Sequence, residues 1–167
     1  QKVAGTIALS RLLMDYPEAF MVGFSSISSV FGGSMVGAYA SANQFLDSYL
    51  EQGLSGGARC YGLNWSNWRD TGMSLGLGAA REYLGEMGVR DLPVEQAMHC
   101  LQVALNQPPG RMIIGLDAEK NYVQRQMPTL TPVIDLQLFY KVDRNSSGEV
   151  IAPLVLSDRY GTSCPCK

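Results

Sequence analysis

Residues 20–47 open with Phe20-Met21-Val22-Gly23-Phe24-Ser25-Ser26 and close with Tyr39-Ala40-Ser41-Ala42-Asn43-Gln44-Phe45-Leu46-Asp47. The first run is short, apolar and flanked by loop residues, which predicts a buried parallel strand ending at the serine pair. Gly32, Gly33 and Gly37 fill the connection. Ala40, Phe45, Leu46, Tyr49 and Leu50 then give one apolar face to a helix over 37–52, with Gly53 as its stop. Tyr39 and Asn43, four apart, share a face of that helix. Ser26 precedes Tyr39 by thirteen positions, at the carboxyl end of the strand, where open parallel sheets place their active sites.

Outward from this stretch the pattern repeats. Val3, Ile7, Leu9, Leu12 and Leu13 predict an amphipathic helix over 2–14, closed before Pro17. Residues 58–65 read as a second strand, followed by a loop carrying Trp65, Trp68 and Thr71-Gly72-Met73. A glycine-spaced region from Leu75 to Gly88 reads as a short, mobile helix or lid. Pro93 opens a helix over Val94–Leu105, and Met112–Leu116 form a third strand. Helix, strand, helix, strand, helix, strand indicates an α/β fold with a Rossmann-like parallel sheet and right-handed crossovers. After Asp117 the character changes. Residues 118–132 show no period, and Leu136–Val142 and Val150–Leu156 read as two strands around a turn at 144–148. The expected organisation is therefore a main part over 1–117 and a small β-containing extension over 118–167. No internal repeat is present.

The chain has 167 residues, of which 46% are hydrophobic and 17% charged. That is enough to build a core and argues against disorder. A net charge of −2 gives no electrostatic reason to expect nucleic acid or an anionic membrane as partner. No apolar run approaches the roughly 20 residues of a bilayer span, and the N-terminus has no signal-peptide order. Cys164 and Cys166 form a lone CxC without a second pair or a nearby histidine, which argues against zinc. With Cys60 and Cys100 they read as reduced thiols of a cytoplasmic protein. His99, the only histidine, lies far from the serine stretch, so a Ser-His-Asp arrangement is not expected. The sequence starts at Gln1 inside a helical pattern and stops at Lys167, which reads as a piece of something longer.

Taken singly, a serine pair in a loop, a tyrosine on an amphipathic helix and a lysine near a terminus are ordinary surface and packing residues. A phenol titrates near 10 in water, so one that donates a proton at neutral pH needs a cation beside it. Lys2 is the candidate.

The set Lys2, Ser26, Tyr39 and Asn43 resembles the ketoreductase domains of modular polyketide synthases and hybrid peptide synthetases, within the short-chain dehydrogenase/reductase superfamily. Lys2 stands twenty-four positions before Ser26, and Asn43 four after Tyr39, as in that branch. The words Lys2-Val3-Ala4-Gly5, Phe24-Ser25-Ser26, Gly37 to Asp47, Asn64-Trp65, Trp68 and Gly72-Met73 match too, so the resemblance covers 2–117. It implies NADPH-dependent reduction of a ketone held on a carrier-protein thioester, with other domains of the same synthase as partners. Tyr39 would donate the proton and Ser26 would hydrogen-bond the carbonyl oxygen. Lys2 would hold the nicotinamide ribose, and Asn43 would order a water chain. Asn64, Trp65 and Thr71 would flank the nicotinamide, while Phe31 and Met73 would face the substrate.

Three departures qualify the resemblance. No glycine-rich dinucleotide loop is present, so the cofactor-binding half is expected outside these residues, and the isolated polypeptide is expected neither to bind NADPH nor to fold stably. Ser66 stands where the family usually has glycine. Phe31 replaces the tryptophan that marks one stereochemical class, which leans away from that class. The 118–167 segment resembles an adenylation-subdomain remnant found after ketoreductases in some bacterial hybrid assembly lines, with an inter-domain linker as the alternative. A free-standing dehydrogenase would carry lysine in place of Asn43. A catalytically silent structural domain would usually have lost Tyr39 or Ser26.

Overall fold

The computed structural model of the chain describes residues 1–33, 36–72, 78, 80–117, 119–126, 139–144 and 150–156, the last two as backbone only. These form two units, the first made of Gln1–Trp65 with Pro108–Ile113. Its elements are helix α1 (Lys2–Leu13), strand β1 (Met21–Ser26), the short helix α2 (Ser28–Phe31), helix α3 (Gly37–Ser55), strand β2 (Cys60–Trp65) and strand β5 (Gly110–Ile114). The sheet runs β1-β2-β5. β1 and β2 are parallel, in register from Met21 opposite Cys60 to Ser26 opposite Trp65. Every residue of the central strand β2 is buried, as a parallel strand covered on both faces should be. Leu46 and Leu50 of α3 pack with Cys60 and Met21. α3 approaches β1 closely because Gly23 has no side chain; a Cβ there would overlap Leu50 Cδ1.

The expectation for the first helix needs correcting. Its extent is right, yet Val3, Leu9 and Leu12 are exposed, at 41%, 55% and 56%. α1 meets α3 instead through Lys2, Thr6 and Ser10, spaced four apart: Thr6 is its one buried residue, and the Ser10 hydroxyl lies 2.5 Å from that of Tyr49. Two smaller corrections follow. α3 runs through Gly53 to Ser55, since glycine only weakens a helix unless the chain also turns. The glycine-rich connection contains α2, too short to leave a periodic signal.

The second unit comprises Ser66–Gln107 with the chain from Ile114 onward. Strand β3 (Asn67–Trp68) pairs in parallel with β4 (Asp91–Leu92), a two-residue pairing too short to read from sequence. Helix α4 (Ala80–Glu86) lies within the region expected as a short helix or lid, whose residues 75–77 and 79 fall outside the described residues. Helix α5 (Val94–Leu105) has the predicted bounds and buries Ala97, Cys100, Val103 and Ala104. Burial pushes the Cys100 thiol up to about 12 and raises that of Cys60, which suits inert core thiols. Helix α6 (Asn121–Gln126) occupies part of the segment read as having no period. Strands β6 (Phe139–Arg144) and β7 (Val150–Leu156) form the predicted antiparallel hairpin; its turn lies outside the described residues. No helix among the described residues is long and apolar enough to cross a membrane.

One contact in this unit is unforgiving. Gly115 has φ +95°, and a Cβ on it would overlap the Ser66 hydroxyl. Gly115→Ala is expected to destabilise the protein by about 2–4 kcal/mol, combining overlap with the backbone penalty. Adding Ser66→Gly should recover the overlap part and leave about 1 kcal/mol. Urea midpoints of the three variants check this; no recovery in the double variant would contradict the contact.

Candidate active site

The site lies within the first unit and begins with one ammonium group. Lys2, in the first turn of α1, donates from Nζ to the Phe24 carbonyl oxygen at 2.7 Å and to Asn43 Oδ1. It thus ties α1 to β1 and to α3. Asn43 Nδ2 donates back along α3 to the Tyr39 carbonyl oxygen at 2.9 Å. Because Tyr39 and Asn43 are one turn apart, a cation held at Asn43 also sits beside the phenol ring, 5.6 Å from its centroid. Asn43 is fully buried, while Lys2 and Tyr39 are half-buried and open to a ligand. Burial lowers the Lys2 pKa, and the Asp47 carboxylate opposes that shift.

Ser26 ends β1. Its hydroxyl oxygen accepts from the Ser28 amide at 3.2 Å and the Ser28 hydroxyl at 3.0 Å. Among the described residues its own proton has no acceptor, so the hydroxyl is left as a donor. Strand alternation sends its neighbour the other way. Ser25 is buried, accepts from Asn64 Nδ2 at 3.1 Å and lies 3.5 Å from the Asn43 carbonyl oxygen.

The other expected site residues divide. Phe31 is half-buried at the end of α2, on the chain leaving Ser26. Trp65 is buried and stacks on Phe24, with centroids 5.7 Å apart. Asn64, expected beside a cofactor, is fully buried and committed inside the protein. Its Nδ2 lies 2.7 Å from Asp47 Oδ2, 2.9 Å from Ser29 Oγ and 3.2 Å from the Ser26 carbonyl oxygen. Its Oδ1 accepts from Arg111 Nε at 3.0 Å. Thr71 belongs to the second unit, and Met73 lies outside the described residues.

The residues missed in the sequence are those behind the site: Ser29, Asp47 and Arg111. Arg111 Nη2 pairs with Asp47 at 3.0 Å and Nη1 with Glu51 at 3.0 Å. A signal was available. Tyr39, Asn43, Asp47 and Glu51 recur every four residues, which lays a polar stripe along one side of α3.

Residues 1–70 match the KR domain family. The cluster 41 polyketide synthase of Aspergillus flavus is 35% identical over 96 residues, covering 58% of this chain and 9% of that protein. Polyketide synthase ThaG of Burkholderia thailandensis is 33% identical over 120 residues, 68% of this chain and 2% of its own length. The chain thus spans a small part of the curated relatives it matches. Among solved structures, an A-type ketoreductase from a modular polyketide synthase superposes with TM-score 0.63 at 26% identity, covering 80% of this chain and 28% of the other. A multidomain structure with adenylation, ketoreductase and pseudo Asub domains, from a keto acid-selecting NRPS module, gives TM-score 0.65 at 26% identity, covering 86% and 12%. Fold and relatives agree that the chain holds part of a ketoreductase domain of the modular polyketide synthase type.

Proposed function

We propose that this site reduces a ketone to a secondary alcohol with NADPH, on an acyl group carried as a thioester by a carrier-protein domain of the same assembly line. The observation that carries the reading is the half-buried Lys2 ammonium, held between β1 and α3 and facing the Tyr39 ring.

The residues present fit the nicotinamide-ribose end of such a cofactor. Lys2 and Tyr39 are accessible polar groups on adjoining elements, whereas the chain has no glycine-rich loop for the phosphates. Lys2 and Tyr39 would hold the ribose. NADPH, when bound, supplies the hydride. Tyr39 gives its phenolic proton to the carbonyl oxygen as general acid. Ser26, with its proton free to donate, bonds the same oxygen and stabilises the charge that develops there. Asn43 holds Lys2 in place. Tyr39 and Ser26 are both retained, which favours turnover over a silent structural role.

The carrier-bound substrate is supported by relatives that are polyketide synthases. The keto acid-selecting NRPS module among the matching structures carries a pseudo Asub domain together with its ketoreductase. That supports reading 118–167 as a pseudo-adenylation extension, and the substrate as an α-keto acyl group.

Lys2→Met tests the cofactor assignment directly. In the full-length protein it should weaken NADPH binding by about ten- to a hundredfold, the worth of a charge-assisted hydrogen bond. Fluorescence titration gives the Kd. An unchanged Kd in a folded variant would remove Lys2 from the cofactor site.

A further inference from the structure

Behind Ser26 lies a buried polar cluster to which the reaction assigns no part. The Ser26 carbonyl oxygen is held from two sides, by Ser29 Oγ at 2.8 Å and Asn64 Nδ2 at 3.2 Å. Both donors also reach Asp47 Oδ2, Ser29 at 2.6 Å and Asn64 at 2.7 Å. Arg111 closes the cluster, with Nη2 on Asp47 Oδ2 and Nε on Asn64 Oδ1, each at 3.0 Å. The Asp47 side chain has no exposed surface, and its second oxygen, Oδ1, is buried without a hydrogen bond.

Burying a carboxylate is expensive, and the Coulombic gain of a buried pair seldom exceeds the desolvation cost. Stability alone is therefore a poor account of this cluster. Its geometry offers another. Three donors converge on one Asp47 oxygen, and two of them clamp the carbonyl of the residue whose hydroxyl faces the site. Ser29 has one hydroxyl proton for two acceptors and Asn64 two for four, so each bond is shared. Moving Asp47 would loosen both clamps at once.

We propose that Asp47 is a positioning residue: through Ser29 and Asn64, and steadied by Arg111, it fixes the turn carrying Ser26 and so aims the Ser26 hydroxyl at the substrate oxygen. This rests on the reductase reading above. It adds to that reading a buried carboxylate and its three partners, which act through Ser26 and not on the substrate.

The test is a double-mutant cycle in the full-length protein. Ser26→Ala alone should lower kcat by about a hundred- to a thousandfold, as loss of an oxyanion donor does. Ser29→Ala, which removes one clamp and spares the buried ion pair, should lower kcat by about ten- to a hundredfold with KM nearly unchanged. In the Ser26→Ala background, Ser29→Ala should cost nothing further, because the group it positions is gone. Hydrogen exchange supplies a readout apart from turnover. Amides of 26–31 should exchange faster in Ser29→Ala and in Asp47→Asn, while those of 60–65 keep their protection. Additive losses, or exchange that rises equally in both segments, would overturn the positioning role and leave the reductase reading intact. A folded Ser26→Ala variant with normal turnover would overturn both.

Discussion

Tyr39→Phe is expected to lower kcat for ketone reduction by about a hundred- to ten-thousandfold, the range for losing a positioned general acid. The substitution removes one oxygen and keeps the ring, so the contact with the Lys2 ammonium survives. Asn43 bonds the Tyr39 carbonyl oxygen rather than its side chain, so the helix turn survives as well. The thermal unfolding profile should therefore stay close to the parent's, and NADPH affinity should fall only by the worth of one neutral hydrogen bond to the ribose, about two- to tenfold. The full-length protein, assayed with a soluble ketone or keto thioester, gives kcat, and titration gives the cofactor Kd. A loss in kcat far larger than the loss in affinity supports proton donation at this phenol. Undiminished turnover would show that another group supplies the proton.

The second large effect concerns stability. Arg111→Met leaves Asp47, whose side chain is wholly buried, without its close cation. Breaking one side of such a pair costs about 3–5 kcal/mol. The bonds from Ser29 and Asn64 remain, which places the expectation toward the lower end. With urea slopes of about 1–3 kcal/mol/M, the domain's midpoint should fall by roughly 1 M or more. Pulse proteolysis reads that midpoint within a large protein. Adding Asp47→Asn removes the stranded charge, so the double variant should recover part of the loss. A double variant less stable than Arg111→Met would mean the carboxylate does not depend on Arg111.

The sequence carried most of the first unit because its elements obey short-range rules. β1 is an apolar run between loop signals, and α3 carries its apolar face at helical spacing; in the second unit α5 starts after a proline and ends where its apolar spacing ends. The misreadings have physical causes. α1 shows leucines at helical spacing, but periodicity says only that a face is apolar, not that it is covered. Its contact with α3 runs through Lys2, Thr6 and Ser10. β3 and β4 consist of two residues each, below the length at which alternation can be recognised.

The site divides in the same way. Lys2, Ser26, Tyr39 and Asn43 were legible as a spaced set, and the structure brings Lys2 to Asn43 and to the Tyr39 ring. The family resemblance set Asn64 beside a cofactor. Burial in β2 turns its amide toward Asp47 and Arg111 instead. Arg111 was not legible at all, since sixty-four positions separate it from Asp47 and only the sheet order brings the two together.

Isotope transfer follows the hydride from the cofactor to the ketone itself. The full-length protein is supplied with NADPH deuterated at the nicotinamide and a carrier-bound keto thioester, and the released acyl group is weighed by mass spectrometry. One deuterium is expected on the new carbinol carbon, formed by the parent and by Ser29→Ala more slowly, and nearly lost in Tyr39→Phe. A folded, cofactor-bound parent that transfers no deuterium, or a Tyr39→Phe variant that transfers it at the parent's rate, would contradict the proposed reduction.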